Sequence, residues 1–141
     1  MNLRRRTPEL PDTHRAAWQA FIGCAGVVEG GRRMLLATLP VGRVEPTPIG
    51  LGVDAMARAI ADTRGGMDAW RLPVLEAQWQ ECAASLDEAA AGLDTVREVA
   101  AGTSELEELQ IAVMDVVDPL AVYGDAERAW RRAWRIPREL R

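Results

Sequence analysis

The chain of 141 residues has no lysine; all 17 of its basic side chains are arginine. That absence excludes Schiff-base chemistry, a phosphate-loop lysine and a lysine general base. Histidine is almost as scarce. His14 would have to serve any Cys/His or Ser/His pair, and no local motif surrounds it. No Glu-x-x-His pair exists, which removes the helical di-iron site. The two cysteines, Cys24 and Cys82, have no CxxC spacing and are read as buried, reduced thiols; with one histidine they are too few to hold zinc. No apolar run reaches the ~20 residues of a membrane span. The Arg4–Arg6 run is followed by Pro8 and Pro11, not by the apolar stretch of a signal peptide. The expectation is a cytoplasmic protein without a cofactor. Arginine used to the exclusion of lysine, with abundant alanine, suggests a high-GC bacterial genome.

What is present is segregated charge. Residues 1–75 carry ten arginines against seven acids, and residues 76–127 carry one arginine against thirteen acids. Residues 128–141 carry six arginines against Glu139, within an overall net charge of −4. The acidic middle is therefore the first candidate partner of the basic end. The length suits a single domain that buries enough surface to need no metal or disulfide. Residues 1–11 read as a flexible arm, and 12–141 as one helical domain.

Seven-residue periodicity dominates that domain. Ala17, Phe21, Cys24, Val28, Gly31, Leu35 and Thr38 follow a 4-3-4-3 spacing, which predicts one helix from about Asp12 to residue 38, bent or broken at Gly30-Gly31. Residues 40–52 (PVGRVEPTPIGLG) read as a loop of turn-formers, either a strap over the bundle end or a partner- or ligand-contacting segment. A short helix is expected from Val53 to Arg64, ended by Gly65-Gly66. The clearest stripe is Leu75, Trp79, Cys82, Leu86, Ala89, Leu93, Val96 and Ala100, with Pro73 in the first turn and Gly102 as the stop. Ser104 and Glu107 form a capping box for the next helix, close enough to make the two antiparallel neighbours.

That next helix has two apolar faces. Leu106, Leu109, Val113, Val116 and Leu120 form one; Ile111, Met114, Val117 and Ala121 form the other, the expected subunit interface of a homodimer. Pro119 is expected to kink or restart it, and Gly124 to end it before a final helix over 126–136. On that last segment Trp130 and Trp134 oppose Arg128, Arg131, Arg132 and Arg135. The tryptophans can dock on the bundle or on a second subunit, lie on an anionic membrane, or accompany arginines that bind phosphates. The acidic neighbour and the lack of any DNA-reading module disfavour membrane and nucleic acid, so these six residues are assigned to a protein partner. The sequence repeats itself faintly, DAWRLP at 68–73 and RAWRIP at 132–137.

Carboxylates are the only plentiful reactive groups. Glu105 and Glu108, then Asp115 and Asp118, have the i, i+3 spacing of magnesium ligands in all-helical nucleotide hydrolases, but both pairs sit on one helix and not on facing ones. They are the candidate metal ligands if any exist. YGDAE, Tyr123 to Glu127, has the Tyr-x-x-x-Asp/Glu form that resembles the export tag of helical-hairpin substrates of mycobacterial-type secretion; the Trp-x-Gly turn of those substrates is absent. The expectation is an all-α, antiparallel bundle of about four main helices plus a short one, with coiled-coil-like seams. Its expected role is non-catalytic, a homo-oligomeric adaptor or regulatory subunit acting through protein contacts. The alternatives are a small-molecule-binding bundle and a magnesium-dependent nucleotide hydrolase.

Overall fold

The computed structural model describes residues 12–42, 44–102 and 105–139, with the side chains of residues 46, 47 and 135–139 outside that description. The arm expected at 1–11, the Ser104 cap and the Arg135 side chain therefore lie outside the described residues. The chain is all-α. Helix α1 spans Asp12–Cys24, α2 Val27–Ala37, α3 Pro46–Gly66, α4 Glu76–Gly102 and α5 Leu106–Glu139. Two 3-10 turns, Met67–Trp70 and Pro73–Leu75, join α3 to α4. Among the described residues there is no strand.

Three boundaries differ from expectation, each for a local reason. The first helix breaks at Gly26, not at Gly30-Gly31. Gly26 has φ of 86°, the left-handed region that glycine enters without strain. Gly31 instead serves packing: a Cβ there would stand 2.7 Å from Ala59 Cβ, so its absence lets α2 lie close on α3. Helix α3 starts at Pro46, inside the segment expected to be a loop, because proline suits a first helical turn where no backbone donor is needed. Helix α5 runs through both Pro119 and Gly124 for 34 residues, so the expected separate last helix does not exist. Pro119 removes one intrahelical bond, to the carbonyl of Asp115. That carbonyl lies opposite Gly92 of α4, where a Cβ would be 3.2 Å from it. Interhelical packing on either side of the proline carries the helix across a defect that would end an isolated one.

Neighbouring helices are antiparallel, and cross-links fix their register. Arg64 reaches Asp87 at 3.1 Å and Arg97 reaches Asp54 at 2.9 Å, so α3 and α4 run in opposite directions. Gly31 against Ala59 and Gly52 against Thr38 set the same relation for α2 and α3. Helices α4 and α5 form the most extensive pairing, with Gly92 against Asp115 and Val116. All eight members of the predicted α4 stripe are buried. They meet Leu109, Val113, Val116 and Leu120 of α5, also buried. At roughly 1.5–3 kcal/mol per large apolar side chain, this seam supplies much of the drive to fold. The surface ion pairs that accompany it are about half exposed and add little. The helices thus lie in the order α2, α3, α4, α5, and the row is not closed: α2 and α5 make no comparable pairing.

Candidate functional site

The C-terminal tryptophans do not present a recognition face. Trp130 is 0% exposed and Trp134 is buried, both docked on α1 of their own chain. Trp18 stacks on Trp134 at 4.5 Å, Phe21 stacks on Trp130 at 4.5 Å, and Trp70 meets Phe21 and Trp130 edge-on, each at 5.3 Å. The Trp134 indole N–H donates to the backbone carbonyl of His14 at 3.3 Å, which ties the end of α5 to the first turn of α1. Among the described residues the indole N–H of Trp130 has no acceptor, and that of Trp70 faces the Cys24 thiol, so this cluster is held mainly by buried area and ring geometry. The repeated DAWRLP and RAWRIP segments deliver Trp70 and Trp134 to the same cluster, one from a 3-10 turn and the other from a helix interior.

With the tryptophans inside, the arginines of the tail are what remains at the surface. Arg128 pairs with Asp125 one turn earlier. Arg132 is exposed. Arg131 is half-buried, with its guanidinium 5.6 Å from the Phe21 ring centre, and its Nε is buried without an acceptor. The expected subunit face of α5 is divided. Ile111 and Met114 are 61% and 49% exposed and are joined by Val122 at 45%. Val117 and Ala121 turn instead toward α2.

There they line a cavity of about 600 Å³ in the gap between α2 and α5. Gly26, Val28, Glu29 and Arg32 form its α2 wall. Leu120, Tyr123, Glu127, Arg128 and Arg131 belong to the α5 wall. Glu29 and Arg32 are joined by two hydrogen bonds of 2.7 and 2.8 Å. Burial pushes the Glu127 carboxyl above its ordinary value, opposed by the charge of Arg131 and by a hydrogen bond from the Tyr123 hydroxyl. Tyr123 is itself raised by burial and by the Glu127 charge. Cys82 is pushed up to about 12, by burial first and then by Glu127, and Cys24 is raised for the same two reasons. Both thiols are free, and raised thiols are poor nucleophiles. The Tyr-x-x-x-Glu spacing was the one sequence signal for this site, since i, i+4 residues meet on a helix. Arg32 and Gly26 carried none.

The four candidate magnesium ligands are all exposed, Glu105 just before α5 and Glu108, Asp115 and Asp118 along it. Among the described residues no three metal-ligating side chains converge. No helix is long and apolar enough to cross a membrane, again among the described residues. No protein family, curated protein or solved structure matches the chain.

Proposed function

We propose that the chain is a non-catalytic protein that acts through protein–protein contact, and that its first partner is a second copy of itself, bound along the outward flank of α5. The observation that carries this reading is the exposure of Ile111, Met114 and Val122 on the longest helix. At about 100° per residue these three fall within an arc of roughly 80°. Exposed Glu107 and Arg132 lie on the same line, at its opposite ends. Two such helices set antiparallel about a two-fold axis bring Glu107 of each chain toward Arg132 of the other and the apolar middle sections together. The flank measures about 40 Å by 10 Å. That is below the ~800 Å² per partner of a standard interface, so the association is weak, reversible and concentration-dependent.

Sedimentation velocity over a wide concentration range tests it. A monomer–dimer equilibrium is expected, weakened by 0.5 M salt, by Met114→Glu and by Glu107→Arg. It should be restored when Glu107→Arg is combined with Arg132→Glu. A chain that remains monomeric at several hundred micromolar, or a double exchange that restores nothing, overturns the reading. Small-molecule binding is the second reading, supported by the cavity between α2 and α5.

A further inference from the structure

We propose that the cavity between α2 and α5 is a binding site for a small apolar carboxylate, with the anion held by Arg131. The volume, about 600 Å³, lies within the roughly 300–1,000 Å³ of ligand sites. Its lining is divided by chemistry. Val28, Val117, Leu120 and Ala121 offer an apolar wall to a hydrocarbon body. Among the described residues, one of the three arginines that line the cavity makes no ion pair. Arg32 is engaged by Glu29, and Arg128 by Asp125. Glu127 accepts from the Tyr123 hydroxyl, and its charged form is favoured by the nearby Arg131.

Arg131 remains. Its guanidinium has an aromatic contact with Phe21 and, among the described residues, no carboxylate in ion-pair contact; its Nε is buried without an acceptor among them. The Nε is closed to solvent, so the terminal guanidinium nitrogens are what a ligand in the cavity can meet, and arginine matches a carboxylate through two parallel hydrogen bonds. A neutral ligand satisfies the apolar wall only, and a cationic ligand places like charge beside Arg131. The geometry therefore selects an acceptor-bearing anion with an apolar body. Leaving α2 apart from α5 then has a chemical consequence: the gap accepts the body while α5 supplies the charge.

The test titrates the full-length protein with octanoate, octanol and octylammonium below their aggregation concentrations, read by calorimetry and by amide chemical shifts. Saturable octanoate binding is expected, at least tenfold tighter than octanol, with shifts centred on Gly26, Val28 and Gly124. Arg131→Gln should weaken octanoate at least tenfold while leaving octanol unchanged. Because Arg131 also contacts Phe21, a second variant guards against simple misfolding. Gly124→Leu removes a helix-interior glycine and sends a side chain into the cavity. It should melt no lower than the parent and abolish octanoate binding. Absence of saturable octanoate binding overturns the proposal. So does equal affinity for octanol or octylammonium, or octanoate binding unchanged by either substitution in a folded variant.

Discussion

On one side of α5 the seam with α4 is closed down to the backbone, with Gly92 admitting the Asp115 carbonyl. On the other, α5 and α2 stand apart around a cavity of about 600 Å³. The same helix therefore does two kinds of work. Its α4-facing stripe is aliphatic and spaced for close interdigitation. Toward α2 it sets Val117, Tyr123, Glu127 and Arg131, a mixture that no close helix–helix contact could absorb without stranding charge. Helix α2 is drawn to α3, where Gly31 and Gly52 allow close approach. The end of α5 is held by α1 through wide aromatic rings. The open side follows from small residues at one contact and large ones at the other.

The largest test of this contrast is the aromatic anchor. Trp130→Ala should cost roughly 3–5 kcal/mol in urea unfolding, whereas Val122→Ala on the outward flank should stay within about 0.5 kcal/mol. A Trp130→Ala loss under about 1 kcal/mol would mean that the end of α5 is not fixed by α1. Next come two glycines on the two sides of the molecule. Gly92→Ala must push back Val116 Cγ2 at 3.0 Å and the Asp115 carbonyl at 3.2 Å, and should destabilise by about 1–3 kcal/mol despite the better helix propensity of alanine. Gly124→Ala meets only the far end of Arg128, at 3.7 Å, and should stabilise by about 0.5–1 kcal/mol. Equal signs for the two in thermal melts would erase the distinction between closed and open seams.

The smallest effect is a dependence on pH. Glu127 is raised in the folded state, so the native protein keeps a proton that the unfolded chain releases. Its contribution is favourable at acid pH and declines as pH climbs from the ordinary carboxyl range through the raised folded value. Glu127→Gln should flatten that decline in stability–pH curves. A decline that persists in the variant would locate its source elsewhere.

The closed side was legible in the sequence and the open side was not. A stripe such as Leu75 to Ala100 declares itself because every member meets the same neighbour at the same period. The two apolar faces of α5 were visible as well, but not that Val117 and Ala121 would part from Ile111 and Met114, because only the position of α2 decides it. Glycine and proline misled at Gly31, Pro46, Pro119 and Gly124 for one reason. Both residue types interrupt helices in isolation, and here Gly31 permits close packing, Pro46 begins a helix, and α5 runs through Pro119 and Gly124. Gly26, the true break, looks no different in sequence from Gly30, since a positive φ depends on where the next helix must go. The fate of Trp130 and Trp134 was open for a related reason: an amphipathic segment specifies a buried face, not what buries it.

The stacked pair Trp18 and Trp134 joins the two ends of the described chain, with ring centres 4.5 Å apart and planes inclined by 23°. Indoles that close share their electronic excitation, so the pair should give a coupled signal in ultraviolet circular dichroism that neither ring gives alone. The protein thus carries its own optical gauge of whether the last turns of α5 are seated, readable without a label and lost as soon as those turns detach.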